Sequence, residues 1–141
     1  MKKQIVIACD HAGFGLKEFL IKQLQGYEII DLGTNSADSV DYPDYAHQLA
    51  SIVVSKHIQG ILICGSGIGM SMAVNKHKDI RGALCFNTEM AKLSREHNDA
   101  NVLILGARFT NEDNALDILK TWLGTEFSGG RHQKRVLGIN P

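Results

Sequence analysis

Three groups of residues in this chain have the types and spacing to do chemistry. Cys64-Gly65-Ser66-Gly67-Ile68-Gly69 places a thiol immediately before a turn rich in glycine. A turn of that kind lets backbone amides face a ligand at the start of a helix, and amides so arranged stabilise an anion. The same setting favours a thiolate, which makes Cys64 a candidate base or nucleophile. The plainer alternative is a small buried hydrophobe, the reading we take for Cys9 and Cys85, which sit in apolar runs with no comparable turn. Asp10-His11 is the second group, and it serves equally as a turn and helix cap or as a polar pair over a cleft. His97-Asn98-Asp99 is the third: an imidazole there is a competent acid or base near neutral pH, while Asn98 or Asp99 could merely terminate a helix.

Around these lie Arg108, Arg131 and Arg135, solvated charge by default, yet suited to phosphate by the fixed fork of guanidinium donors. Asp41-Tyr42-Pro43 most simply opens a helix with Pro43 in its first turn, and Tyr42 could still point over the cleft. The glycine turn does not fit three familiar motifs. Met70 stands where a dinucleotide fingerprint wants its last glycine, and the turn follows the third strand rather than the first. Cys64 stands where a nucleophile elbow wants its first glycine. Met70 also replaces the arginine that a cysteine phosphatase would need.

Elements must hold these groups in place. Ile5 to Cys9, Glu28 to Leu32, Gly60 to Cys64, Gly82 to Phe86 and Asn101 to Gly106 are short apolar runs that read as buried parallel strands. Helical spacing fills the gaps over Phe14 to Leu24, Tyr45 to Val54, Met70 to Lys76, Glu89 to Glu96 and Asp113 to Leu123, the last capped by Asn111. The alternation predicts an α/β fold, a three-layer α/β/α Rossmann-like sandwich around a five-stranded parallel sheet, with ligands bound beyond the carboxyl ends of the strands. Strand one then runs into Asp10 and His11, strand three into Cys64 and its turn, and strand five lies between His97-Asn98-Asp99 and Arg108. The expectation is that Asp10, Cys64 and His97 cluster at strand ends.

At 141 residues the chain fits one domain over 1–141. The polar, glycine-broken stretch 128–141 is either a frayed end or a C-terminal arm that completes a site. With 15 basic and 15 acidic residues the formal charge is zero, so no overall field draws the molecule to nucleic acid or to an anionic membrane. The apolar run Gln4 to Cys9 is too short for a signal-peptide core or a membrane span, and a cytoplasmic protein is expected. Three cysteines with no Cys-x-x-Cys pair argue against a disulfide framework and a structural zinc site.

Taken in order, Cys9-Asp10-His11-Ala12-Gly13, Asp41-Tyr42-Pro43-Asp44-Tyr45-Ala46, Ile63 to Gly69, Asn75-Lys76, Ser94 to Asn101 and Gly129-Gly130-Arg131-His132-Gln133-Lys134-Arg135 resemble the type B ribose-5-phosphate isomerases over almost the whole chain. The resemblance implies an aldose–ketose isomerase of the pentose phosphate pathway, a homodimer or dimer of dimers with active sites at the subunit interface, and no metal or organic cofactor. It implies that Cys64 shuttles the proton between C1 and C2 and that His97 opens the sugar ring. Asp10 and His11 would contact the sugar, His11 also lying near the phosphate. Gly65, Ser66, Gly67, Ile68 and Gly69 would hold the enediolate oxygens. Asn98, Arg108, Arg131 and Arg135 would complete the sugar and phosphate pocket, some from the neighbouring subunit, and Tyr42 would line the cleft. One branch of the family lacks the cysteine and uses a glutamate where this chain has Met70, so the chain resembles the cysteine branch. Ser66 stands where many members have threonine and keeps the hydroxyl.

Two rival readings share these residues. One is an isomerase of a six-carbon sugar phosphate, such as allose or galactose 6-phosphate. The other is a sugar-phosphate or nucleotide sensor that binds without turnover, and exchange of substrate hydrogen with deuterated water would separate it from an enzyme.

Overall fold

The apolar runs form strands. β1 (Lys3–Cys9), β2 (Tyr27–Asp31), β3 (Gln59–Cys64), β4 (Gly82–Leu84) and β5 (Val102–Gly106) make one parallel sheet in the order β2-β1-β3-β5-β4. The central three, β1, β3 and β5, are buried on both faces, while the edge strands are only partly so. The computed structural model describes Met1–Pro141. Period-two alternation sends Ile5, Ile7, Ile61, Ile63, Leu103 and Leu105 to one face and Val6, Ala8, Leu62, Val102 and Ile104 to the other. Helices α1 (Phe14–Gln23), α4 (Thr88–Glu96) and α5 (Glu112–Leu123) cover the first face, contributing Leu16, Leu20, Ala91, Ile118 and the fully buried Trp122. Helices α2 (Tyr42–Lys56) and α3 (Ile68–Val74) pack against each other over the second, with Leu49, Val53, Met70 and Val74. The expected three-layer sandwich with a five-stranded parallel sheet is the observed fold.

Boundaries moved where local chemistry overrides apolar spacing. α2 starts at Tyr42, three residues before the apolar pattern, because Pro43 is preorganised for a first helical turn and needs no partner there. β4 stops at Leu84, two residues short of the apolar run, its ladder with β5 ending at Leu84 and Ile104. Asn111 caps α5 as expected, its Oδ1 accepting the Asn114 amide at 2.9 Å. The tail is more ordered than its polarity suggested: after Gly129 and Gly130, both at positive φ, it forms α6 (His132–Leu137), which buries no residue.

Sheet order decides where a cleft can form. The chain leaves β1 for β2 on one side and returns to β3 on the other, so the connections diverge between β1 and β3. That divergence opens a crevice at the carboxyl edge, the place where open α/β sheets bind ligands.

Candidate active site

Cys64 closes β3 at this crevice, 5% exposed, and its Sγ accepts the Gly67 amide at 3.2 Å. The turn that brings this amide round needs glycine. Gly67 has φ +79°, and a Cβ there would strike the Leu84 side chain. Ser66 Oγ accepts the Ile68 amide at 3.1 Å. The Gly69 and Met70 amides, in the first turn of α3, have no acceptor within the chain. A thiol is thus flanked by backbone donors, some engaged locally and some free to receive an oxyanion.

The walls close on the same turn. Arg108 follows β5, its amide bonds the Gly65 carbonyl at 2.9 Å, and a Cβ on Gly65 would come within 3.0 Å of the guanidinium carbon. A Cβ on Gly69 would lie 2.6 Å from the Tyr42 ring, so Tyr42 sits directly over the turn. The Asp10 amide bonds the Ile63 carbonyl at 3.1 Å, tying the end of β1 to β3, and its Oδ1 accepts the Gly13 amide at 3.1 Å. The capping reading of Asp10 is therefore correct, and the cap also fixes this carboxylate at the crevice. His11 Nδ1 accepts the Val40 amide at 3.2 Å, which leaves Nε2 as the nitrogen that carries the proton in the neutral ring. Asp10, His11, Tyr42, Cys64, Gly65 to Gly69 and Arg108 thus form one constellation.

His97, Asn98, Arg131 and Arg135 do not join it within the chain. α4 runs back from the carboxyl edge, so His97 at its end lies just before Asn101, whose carbonyl accepts the Gly60 amide at the opposite edge of β3. Gly60 pairs with Val102 and Cys64 with Gly106, a separation of roughly 13 Å at about 3.3 Å per residue. The expectation that Asp10, Cys64 and His97 cluster is corrected here: all three stand at strand ends, but His97 is at the amino end of the sheet. The physical reason is that a crossover helix must return antiparallel to the strands before the next strand can start parallel.

This second group has its own order. The Ser128 amide bonds the Glu96 carbonyl at 3.0 Å, bringing the tail to the end of α4. There His132 stacks on His97, ring centroids 4.1 Å apart and planes 16° from parallel. Desolvation, then the charges of His97, Arg131 and Arg135, hold the His132 imidazole below its ordinary range. Asn98 is exposed beside Asn75, Gly82 and Ile139. A separate groove at this edge holds Arg81 and Arg95, but both guanidiniums are engaged by Asp99, at 3.4 and 3.1 Å.

Two features escaped the sequence reading. His132 lay within a noted motif, but its stacking on His97 depends on how the tail folds. Lys17 is fully buried, its ammonium 2.9 Å from both Asp31 oxygens and 3.0 Å from Glu18. Burial opposes its charge, yet the hydrogen bonds to Asp31 and Glu18 outweigh that and hold its pKa above the ordinary lysine value. Asp31 Oδ1 also accepts the Gly33 amide at 2.9 Å, pinning the loop that ends at Val40 and His11. A lysine between Leu16 and Leu20 on the core face was the available signal. The other two thiols are inert: burial pushes Cys9 up to about 12 and Cys85 up to about 11.

A thiol held against backbone amides at the carboxyl edge of a parallel sheet suits proton transfer beside a carbonyl, the work of an α/β isomerase. Comparison with known proteins specifies the family: the Ribose/Galactose Isomerase model matches residues 5–139, and the chain belongs to that family. It is 46% identical over 140 residues to ribose-5-phosphate isomerase B of Escherichia coli, covering 97% of this chain and 94% of that protein. The structure of ribose-5-phosphate isomerase B from Clostridium thermocellum aligns with a TM-score of 0.95 at 51% identity, covering 96% and 94% of the two chains. That of the Mycoplasma genitalium enzyme with bound ribulose-5-phosphate aligns at 0.94 and 40% identity, covering 99% and 95%.

Proposed function

We propose that this chain interconverts D-ribose 5-phosphate and D-ribulose 5-phosphate in the cytoplasm, as a step of the pentose phosphate pathway. The observation that carries the reading is the Cys64 thiol 3.2 Å from the Gly67 amide, beside helix-start amides with no acceptor of their own. Sugar phosphates lie mostly as rings, so an imidazole, His97, first opens the ring by acid–base transfer. Cys64 then moves the proton between C1 and C2. The negative charge that develops on the enediolate oxygens is met by amides of the turn and by the Ser66 hydroxyl. One such donor is worth about 3 to 4 kcal/mol in the barrier, and a general base on the order of a hundred- to ten-thousandfold in rate.

Asp10, Tyr42 and Asn98 hold the sugar in this mechanism. His11 and the guanidiniums of Arg108, Arg131 and Arg135 hold the phosphate, which does not react, so its binding energy positions C1 and C2 against Cys64. The two half-sites of one chain cannot meet, and we infer that a second copy brings its His97, Asn98 and tail arm 128–141 to the Cys64 side. Apolar side chains support such a dimer: Ile68 and Met72 on α3, Met90 and Leu93 on α4, and Phe86 and Phe109 beyond β4 and β5 are all exposed.

The test is conversion of ribose 5-phosphate by chelator-treated protein, beside Cys64→Ala. Turnover in the native protein, with binding retained but turnover lost in the variant, is the expected result. Near-normal turnover in the variant removes Cys64 from the mechanism. Turnover only on a six-carbon sugar phosphate, or binding with no hydrogen exchange, would select one of the rival readings.

A further inference from the structure

We propose that His47 and His77 form a chelating site for one divalent transition-metal ion of the zinc, nickel or copper type, outside the isomerase site. His47 is exposed on α2, and His77 lies half-buried in the turn after α3, the helix against which α2 packs. Their facing nitrogens, Nδ1 of His47 and Nε2 of His77, are 2.6 Å apart, with ring planes tilted by 58°. So short a contact needs a proton on one nitrogen and a lone pair on the other. Neither imidazole has another side-chain partner, so the far nitrogens are free to carry the ring protons. Once the shared proton moves to its ring's far nitrogen, two lone pairs face one gap. Both rings stay neutral and the protein's proton count does not change.

The gap is narrow for a metal but adjustable. Metal–nitrogen bonds of about 2.0 to 2.1 Å at a tetrahedral angle set the two nitrogens about 3.3 Å apart, so the contact must open by about 0.7 Å. His47, at the end of an exposed helical side chain, can supply that movement. Imidazole pairs select zinc, nickel and copper over calcium and magnesium, which require oxygen donors. No third histidine, cysteine or carboxylate joins the pair, so water or an incoming donor fills the remaining positions. Lys76 and Lys78 flank His77 in sequence and are exposed, where solvent and salt screen their repulsion of a cation. A bound ion clamps α2 to the turn after α3 and stabilises the fold by mass action.

The experiment is a calorimetric titration of chelator-stripped protein with nickel ion, comparing native chain, His47→Gln and His77→Gln, with thermal unfolding followed in parallel. Other imidazoles and Cys64 also take up nickel, so the readout is the difference between chains. We expect one equivalent per chain to weaken by about tenfold or more in each variant, since loss of even an outer-shell partner costs ten- to a hundredfold. The nickel-induced rise in Tm should be smaller in both than in the native chain, with isomerase turnover of the metal-free variants unchanged. The same stoichiometry and affinity in either variant overturns the proposal, as does an undiminished Tm rise.

Discussion

At the scale of single residues, the chain contains three thiols with different fates, and the difference lies in what surrounds each sulfur. Cys64 meets an amide, whereas Cys9 and Cys85 meet the core and are driven to about 12 and about 11. In the unfolded chain both ionise from about pH 9, so above that pH the unfolded state holds fewer protons than the folded one. Their contribution to stability is full below pH 9 and is lost as pH rises, at about 1.4 kcal/mol per unit for each thiol. The urea midpoint should fall between pH 9 and 10.5, and Cys9→Ala should reduce the slope by about half; an unchanged slope would place the titration elsewhere. His97 calls for a different test. His97→Asn keeps a polar side chain but cannot cycle a proton. It should lose on the order of a hundredfold on ribose 5-phosphate and much less on an aldose phosphate too short to close a ring. His132→Ala, which removes the stacked face, should give a smaller loss with the same selectivity. Equal losses on both substrates would remove ring opening from His97.

The elements explain why part of the site was legible in the sequence and part was not. Buried parallel strands are continuous apolar runs, so β1, β3 and β5 stood out, and with them the residues just beyond their ends: Asp10, His11, Cys64 with its glycine turn, and Arg108. The glycine pattern has a steric basis, since a Cβ on Gly67 would strike Leu84 and one on Gly69 the Tyr42 ring, while Gly65 packs closely on the Arg108 guanidinium. α6 was not readable, because it has no buried face and hence no apolar stripe. Nor was the brace formed by Lys17 and Asp31, because pairing across a helix and a strand depends on packing rather than spacing. That brace makes a prediction of its own. Lys17→Met removes one partner and leaves Asp31, one-third exposed, holding the Gly33 amide. The cost should be about 2 to 3 kcal/mol, somewhat below the 3 to 5 kcal/mol of a fully buried pair. Because the loop from Gly33 ends at the Val40 amide that fixes His11, KM for ribose 5-phosphate should rise more than kcat falls. A fall in Tm with KM and kcat unchanged would show that the brace is structural only.

Over the whole molecule, the Cys64 group and the His97 group lie at opposite edges of one sheet. Strand order and the antiparallel return of α4 impose this, and no side-chain rotation closes a gap of roughly 13 Å. In the proposed dimer a two-fold axis would bring the amino-edge group of each copy to the carboxyl-edge group of the other and repeat the contact. If each site takes Cys64 from one copy and His97 from its partner, two inactive variants carry complementary halves. Mixing Cys64→Ala with His97→Asn under conditions that let subunits exchange yields mixed dimers in which one site has both mutations and the other has neither. At equal amounts, half the dimers are mixed and half the sites in those are intact, so turnover should recover to about a quarter of the native value. Sites built within single chains would recover nothing, since every chain would still lack one of the two groups. The same mixture without exchange should stay as inactive as its parts, which ties any recovery to the shared interface rather than to residual activity of either variant.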